Sequence, residues 1–333
     1  MLRRLLTLVR DDSTPNLNAL NDIVKNVRIL ELNMKAFGYD LGRRMATALP
    51  ERLETQAAPV GLRSKACVQA DIESEWCAHW ARELKTAVIY HRKVWEFAYV
   101  LQVLYEHGHL NAGCQGLGFG CGAEPIPSYL ASLDIYVTAT DVAETEAQGA
   151  GWLETGQHLS RRQEHHAHLV DASTFGRLVT HRDVDMNAIP LSLANFDFCW
   201  SICALEHLGS IEKGLTFIET SLATLRPGGL AVHTLEFNIE NDGPTVDNWT
   251  TVLFQQRHLE ALAARLRSQG HQVEELDFGT GSGPMDHFID LPPWHHDPGE
   301  NAAVSLGEPL HLKLAIDGFV STSFGLIVTK KGH

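Results

Sequence analysis

The sequence lacks long apolar runs and has few cysteines, and each of these features excludes a class of protein. No stretch approaches the roughly 18 apolar residues of a membrane-spanning helix. The opening MLRRLLTLVRDD is basic and then apolar, but its apolar run is too short for a signal peptide. Only six cysteines occur in 333 residues, without CxxC pairs, so neither a disulfide framework nor a zinc ribbon is expected. We therefore expect a cytoplasmic protein.

Basic residues are also scarce. The chain has 27 lysines and arginines against 41 acidic residues, which gives a formal net charge of −14. A surface with this balance has no electrostatic footprint for nucleic acid or for anionic lipid. We therefore expect a small-molecule partner, and neither nucleic acid nor a membrane. Apolar residues make up 44% of the chain, which is enough for the core of one or two domains.

The spacing of apolar residues changes at about residue 110. Over residues 18–49 they recur every three or four positions, and Trp76, Trp80 and Leu84 recur every fourth residue. Both patterns are typical of helices. We predict that residues 1–110 form a helical extension, which either roofs a substrate cleft or makes the contact of a homodimer.

From residue 111 to residue 333, strand-like runs alternate with helical ones. GLGFG, DIYVTAT, FDFCW and GLAVHTLEF have the composition of strands, whereas IPSYLASL and IEKGLTFIETSLATL have that of helices. This alternation predicts an α/β domain with a doubly wound, mostly parallel sheet. A segment rich in proline and glycine, at about residues 279–310, is predicted to be a lid loop, because long irregular loops in compact domains are often binding loops.

A glycine-rich turn follows the first of these strands. Gly118, Gly120 and Ala123 fit the pattern G-x-G-x-x-A, and Asp141 lies 21 residues after Gly120. In dinucleotide sites such glycines let the backbone approach a pyrophosphate, and the acid binds a ribose. The same geometry serves S-adenosylmethionine. The turn alone therefore leaves both cofactors open.

Three later motifs favour the methyl donor. In chain order they are Asp185–Met186 before the FDFCW run, Phe196–Asp197 at its start, and Arg226–Gly229. Together with Asp141 they occur in the order found in class I S-adenosylmethionine-dependent methyltransferases, and residues 112–238 resemble that family, in an uncharacterised bacterial branch. The resemblance implies a Rossmann-like fold and methyl transfer from S-adenosylmethionine.

The resemblance also implies where the donor binds. Asp141 would hold the ribose hydroxyls, and Asp185 with Met186 would contact the adenine. The candidate cofactor-binding residues are Gly118, Gly120, Gly122, Glu124, Asp141, Asp185, Met186 and Ser201. Gly118 stands where the family usually has an acid for the amino group of the donor. Glu124 either replaces that acid or caps the next helix, where a carboxylate is favourable.

Methyl transfer from a sulfonium is an in-line displacement, so the protein mainly supplies alignment and, for a hydroxyl acceptor, a base or a metal. His207 and Glu236 are the candidate catalytic residues, because they follow strands whose carboxyl ends should border the ligand. Asn238, His287 and Trp294 are candidate substrate-binding residues. The expected acceptor is a hydroxyl or an amine of a small molecule, such as a sugar or an amino sugar.

Two other interpretations stay open at this point. Asp286, His287 and Asp290 could join Glu236 in an oxygen-rich magnesium site, but loop carboxylates are usually solvated, so we do not favour a metal. The glycine pattern also fits an NAD-dependent oxidoreductase, and a methyltransferase fold can serve as a non-catalytic binding scaffold.

Overall fold

The computed structural model describes residues 8, 14–50, 55–143, 165–240, 243–292 and 309–332. The helices in this part of the chain are α1 Leu17–Thr47, α2 Gln69–Ile72, α3 Glu75–Glu83, α4 Arg92–Glu106, α5 Ile126–Ser132, α6 Ala172–Leu178, α7 Ile211–Ser221, α8 Gln256–Ser268 and α9 Pro284–His287. Single 3₁₀ turns span Leu205–His207 and Leu222–Thr224. Among these helices, none has both the length and the apolar character that a bilayer crossing requires.

The strands in the described residues are β1 Ser64–Ala66, β2 Gln115–Phe119, β3 Tyr136–Asp141, β4 Val179–Asp183, β5 Phe196–Ile202, β6 Leu225–Asn238, β7 Gln272–Val273, β8 Leu276–Asp277, β9 Ile289–Asp290, β10 Lys313–Ile316 and β11 Phe319–Thr329. They form one sheet with the main order β4-β3-β2-β5-β6-β11-β1-β8. From β4 to β6 all neighbours are parallel, and β11 is antiparallel to β6. The predicted α/β fold with a mostly parallel, Rossmann-like sheet is confirmed.

The order of the strands determines where a ligand can bind. The chain moves outward from β2 to β3 and β4, then returns to β5 on the other side of β2. Ligands of open α/β sheets bind beyond the carboxyl ends of the strands at such a switch point. Every residue of β5 is buried, as expected for a parallel strand with helices on both faces. The site is therefore expected beyond Phe119 and Ile202.

The predicted boundary at residue 110 does not separate two structural units. β1 lies within the supposed helical extension, yet it pairs with β11 and with β8. α4 also precedes the boundary and packs on β5, β6 and β11. The prediction missed β1 because three residues are too few to show the alternation of a strand. The helix predicted from Trp76 also ends early, since Lys85 adopts a left-handed conformation with φ of 53°.

Among the described residues, α1 is buried only in its carboxyl-terminal half. Its buried residues are Lys35, Gly38, Tyr39 and Gly42. A Cβ on Gly38 would lie 2.2 Å from the ring of Phe288, so glycine is needed for this close approach. Phe288 belongs to the segment predicted to be a lid. The described part of that segment therefore serves as a docking surface for α1, and residues 293–308 lie outside the described residues.

Asp290 holds α1 to the body of the protein. Its buried carboxylate accepts hydrogen bonds from the Tyr39 hydroxyl at 2.8 Å and from His311 Nδ1 at 2.9 Å, and it lies 2.8 Å from Lys35 Nζ. Burial raises the pKa of Asp290, but the bonds from His311, Lys35 and Tyr39 outweigh this and keep the pKa below its usual value. Asp290 is thus a structural anion, not a magnesium ligand.

Replacing Asp290 with alanine should therefore destabilise the protein. The substitution leaves the buried ammonium of Lys35 without its counter-charge, a change that typically lowers the free energy of unfolding by about 3–5 kcal/mol. Urea denaturation measures this loss, and limited proteolysis should show new cleavage in α1. The exposed Glu212 provides the control, since Glu212→Ala removes a carboxylate without removing a buried pair. Equal stability of the two variants would contradict the assigned role.

Candidate active site

The glycine turn joins β2 to α5 at the switch point. A Cβ on Gly118 would lie 2.3 Å from Cys121 Sγ and 2.5 Å from the Trp200 ring. A Cβ on Gly120 would lie 2.7 Å from the Cβ of Ala204, and this residue has a φ of 60°. Gly122 also has a positive φ, of 48°. These positions require glycine, and the bare backbone of the turn can approach a ligand closely.

Asp141 lies beside this turn, at the carboxyl end of β3. Its Oδ2 accepts a hydrogen bond from the Gly122 amide at 3.1 Å, and its Oδ1 accepts one from the Val142 amide at 2.8 Å. The structure thus brings together the acid and the turn, as the predicted ribose site requires. The role of Asp141 in binding ribose stays a prediction.

The two predicted adenine contacts differ in position. Met186 is buried, and its sulfur lies 3.5 Å from the point that a Cβ on Gly120 would occupy. Asp185 is exposed, and its Oδ1 accepts a hydrogen bond from the Asn187 amide at 2.8 Å. The structure therefore places Met186 at the turn, whereas Asp185 stabilises a local turn of its own.

Glu124 does not cap α5. The helix begins after Pro125 and has no side-chain cap, whereas the buried carboxyl of Glu124 accepts a hydrogen bond from Trp200 Nε1 at 2.5 Å. Burial raises the pKa of Glu124 to about 8, although Trp200 and the nearby charge of Lys93 lower it. The capping alternative is therefore wrong, and the contact of Glu124 with the amino group of a donor stays a prediction.

Ser201 points away from the turn, which corrects the prediction that it binds the cofactor. Its buried hydroxyl lies 2.8 Å from His233 Nδ1, and His233 Nε2 lies 3.2 Å from the Ser221 hydroxyl. Successive side chains of a strand face opposite sides of the sheet. Since Trp200 faces Glu124, its neighbour Ser201 faces the layer that contains α7.

A second group of charges lies beyond β5 and β6. Cys203 Sγ and the carboxylate oxygens of Glu206 and Glu236 lie within 4.8 Å of one another. We call these three residues the acceptor cluster. Glu236 forms an ion pair with Arg92 and accepts a hydrogen bond from the Ser321 hydroxyl at 2.7 Å. The predicted catalytic residue Glu236 is therefore at the site, but its charge is already paired.

A second ion pair borders the cluster. Lys93 Nζ lies 2.7 Å from the Glu96 carboxylate, which also accepts hydrogen bonds from Ser323 and, at 3.2 Å, from Cys203 Sγ. Glu96 is fully buried, and although burial raises its pKa, the charges of Lys93 and Arg92 bring it below its usual value. Two cations of α4 thus compensate two glutamates, Glu96 and Glu236.

Glu206 is the third buried glutamate in this region, besides Glu96 and Glu236. It is 1% exposed, and neither of its oxygens has a hydrogen-bond partner among the described residues. Burial and, after it, the charge of Glu236 raise its pKa, although its own backbone amide and the charges of Lys93 and Arg92 lower it. A buried polar group without a partner is rare in native proteins and is often found at functional sites.

His207 follows Glu206 in the chain but has a different environment. Its Nδ1 lies 2.9 Å from the backbone oxygen of Thr250. Because a carbonyl only accepts, Nδ1 must carry the hydrogen of the neutral ring, and Nε2 then carries the lone pair. Burial lowers the pKa of His207. The charge of Glu236 also acts on His207, so the predicted catalytic role of His207 stays a prediction, and the structure adds Glu206 beside Glu236.

The predicted substrate-binding residues are not brought together in the described chain. Asn238 is buried, and its side chain bonds to the Thr245 hydroxyl at 3.1 Å and the Glu240 amide at 2.9 Å. It holds the turn after β6, which corrects its predicted role. His287 is exposed at the end of α9, and Trp294 lies outside the described residues.

The ligands of the alternative magnesium site, which we did not favour, have other partners in the structure. Asp286 accepts hydrogen bonds from the backbone amides of Gln69 and Gly283 and lies 3.3 Å from Lys313 Nζ. Asp290 anchors α1, as described above. Within the described residues, the acceptor cluster is the one group of three side chains with ligand atoms close enough to share a metal ion.

Four charged residues of the site were not predicted from the sequence: Arg92, Lys93, Glu96 and Glu206. One signal was present for Glu96: in RKVWEFAYVLQVLYE a single glutamate lies between aromatic residues on the apolar part of a helix. Acidic residues are almost never fully buried unless they are paired. A charged residue in such a position therefore indicates that another group of the fold pairs with it. For Glu96 these groups are Lys93 on α4 and Ser323 on β11.

Comparisons with known proteins support the family. A family model described as a methyltransferase domain matches residues 117–233. No curated protein matches the sequence. One similar solved structure is a methyltransferase from Galdieria sulphuraria, with 17% identity, a TM-score of 0.31 and coverage of 51% of this chain and 51% of that one. A SAM-dependent methyltransferase from Aquifex aeolicus has 16% identity, a TM-score of 0.36 and coverage of 69% of this chain and 88% of that one. Another from Mesorhizobium loti has 13% identity, a TM-score of 0.39 and coverage of 68% of this chain and 96% of that one. This chain thus spans about half the length of the first.

The match to the family model covers the glycine turn, Asp141, Met186 and the strand that leads to the acceptor cluster. This match agrees with the predicted family and with its donor S-adenosylmethionine, whereas the bacterial branch stays a prediction. The NAD-dependent alternative is set aside. Residues 117–233 of the chain thus match a methyltransferase domain, the family that the sequence resembles.

Proposed function

We propose that this enzyme methylates an amine or a hydroxyl of a small molecule, and that Glu206 takes the proton that the acceptor loses. The observation that carries the proposal is the buried carboxyl of Glu206, which has no hydrogen-bond partner in the described chain. A base is most effective when its pKa lies close to the working pH. Burial and the charge of Glu236 move the pKa of Glu206 upward, toward that range.

The residues around the glycine turn fit the methyl donor. S-adenosylmethionine supplies, when bound, a methyl group on a positively charged sulfur. Asp141 offers carboxylate oxygens to the ribose hydroxyls, and Met186 offers an apolar surface to the adenine. Glu124 offers a carboxyl to the amino group of the amino-acid tail. The absence of side chains at Gly118 and Gly120 leaves the backbone accessible at this point.

The reaction needs one proton to be moved. A lone pair of the acceptor nitrogen or oxygen forms the bond to the methyl carbon, and the electron pair of the carbon–sulfur bond stays on the sulfur. The acceptor then carries one proton too many, and Glu206 receives it. Arg92 pairs with Glu236 and Lys93 pairs with Glu96, so these two carboxylates already have counter-charges.

Polar groups other than the carboxylates also border the cluster, which favours a hydroxylated acceptor such as a sugar or an amino sugar. The hydroxyl of Thr234 lies 3.6 Å from Cys203 Sγ, and that of Ser323 lies 3.9 Å from it. A site of this kind is suited to acceptors with several hydrogen-bonding groups.

The acceptor can be identified by following the methyl group. The protein is incubated with methyl-labelled S-adenosylmethionine and, in separate reactions, with simple amines, amino sugars and neutral sugars. The proposal predicts label in an amine or hydroxyl product, with S-adenosylhomocysteine formed in equal amount. If label appears only in protein or nucleic acid added in parallel, the proposal is wrong.

Asp141→Ala should weaken the binding of S-adenosylhomocysteine by about tenfold or more. A charge-assisted hydrogen bond contributes about 1.5–3 kcal/mol, and the ribose would lose such bonds. Isothermal titration calorimetry measures the affinity. Asp134→Ala is the matched control, because Asp134 is an exposed acid just before the other end of the same strand. Equal affinities of the two variants would remove Asp141 from the ribose site.

A further inference from the structure

The amino-terminal part of α1 carries an apolar stripe that nothing in the described chain covers. Apolar residues occur with alternating spacings of three and four, and all are between 38% and 74% exposed. They are Leu20, Ile23, Val27, Leu30, Met34, Phe37 and Leu41. We call this set the helix seam. Spacings of three and four repeat every seven residues, which is the pattern of a coiled coil.

The helix seam does not face the body of the protein. The residues that dock α1 are Lys35, Gly38, Tyr39 and Gly42. At 100° per residue, their side of the helix is about a quarter turn from the seam. The described part of the chain therefore leaves the seam exposed along its whole length, including the half of α1 that is docked. It ends at Arg44, a charged residue at the next seam position, which pairs with Asp40.

The stability of the helix itself indicates that it has a partner. Residues 17–34 are almost entirely exposed, whereas helices in proteins gain most of their stability from the packing of an apolar face. The seam contains seven successive apolar positions and no polar one. A monomer would expose all of them to water, and soluble monomers rarely expose so large a continuous apolar surface. A second helix along the seam would resolve both problems.

We propose that the partner is a second copy of this chain, with the two α1 helices paired in parallel and in register. In this arrangement each of the seven seam residues meets its own counterpart, whereas antiparallel pairing leaves one of them unmatched. The flanking positions carry few charges. Asn26 would face Glu31 of the other helix, so that an amide meets a carboxylate and no two like charges oppose each other. Closed two-fold dimers are also the commonest oligomers.

Light scattering with size-exclusion chromatography tests the proposal. The wild-type chain should have twice the 36.9 kDa of a single chain. Leu30→Glu should give a monomer, because it buries two like charges at the centre of the seam. Leu32→Glu is the matched control, since it makes the same substitution two residues away on the opposite side of the helix, and it should stay dimeric. Unchanged S-adenosylhomocysteine binding shows that the variants are folded.

A monomeric wild-type chain overturns the proposal, as does an equal effect of Leu30→Glu and Leu32→Glu. The parallel arrangement has its own test. Cysteines placed singly at Ile23 and at Phe37 should each be linked to themselves across the dimer by a short bismaleimide, with the wild-type chain as the control for native thiols. Linkage of a cysteine at Leu30 but at neither of the outer positions would show antiparallel pairing and contradict this part of the proposal.

Discussion

Replacing Glu206 with glutamine is expected to lower the rate of methyl transfer by about 10²–10⁴-fold, the usual contribution of a general base. Glutamine keeps the size of the side chain but cannot take a proton. S-adenosylhomocysteine should still bind within a factor of a few, because Glu206 contacts the acceptor and not the donor. Glu212→Gln is the control, since this glutamate is exposed on α7. A Glu206→Gln variant with normal turnover would show that another group takes the proton.

Glu206→Gln should also change how the activity and the free energy of unfolding depend on pH. In the wild type, activity should rise with pH as Glu206 loses its proton, and Glu206→Gln should remove this rise. The raised pKa of Glu206 means that the native state holds a proton that the unfolded state releases. The free energy of unfolding therefore falls as pH increases from the unfolded pKa of the carboxyl to its folded pKa. This fall should be smaller in Glu206→Gln. A merely structural role for Glu206 would change the stability profile but not the activity profile.

Breaking the ion pair between Arg92 and Glu236 should produce a loss of stability as large as that expected for Asp290→Ala. Arg92→Met leaves Glu236 buried without a counter-charge, which typically costs about 3–5 kcal/mol. The double variant Arg92→Met with Glu236→Gln should recover part of this loss, because no charge then remains unpaired. Urea denaturation of the two single variants and the double variant measures the coupling. If the two substitutions are additive, the two side chains do not act as a pair.

The parts of the site that could be predicted from the sequence are those made by neighbouring residues. The glycine turn and Asp141 follow from local motifs, because a tight turn needs Gly118 and Gly120 and an acid at a strand end faces the same edge of the sheet. Met186 could be predicted for the same reason. Each of these residues is placed by the strand that it follows.

The rest of the site depends on contacts between distant segments. Arg92 and Glu236 are 144 positions apart, and no local pattern relates them. Ser201 was assigned to the wrong face because the sequence does not state which side of a fully buried strand borders the ligand. Asn238 and Asp290 were polar residues in plausible places, but the fold uses the first to hold a turn and the second to anchor α1.

A crystal structure with S-adenosylhomocysteine bound would test the central claim most directly. The account predicts that the ribose hydroxyls contact Asp141 and that a carboxylate oxygen of Glu206 lies within about 8 Å of the sulfur. This distance is the sum of a carbon–sulfur bond, a reacting distance of about 3–3.5 Å and a hydrogen bond of about 2.6–3.2 Å. The account is contradicted if the sulfur points away from the acceptor cluster and Asp141 keeps only its bonds to Gly122 and Val142.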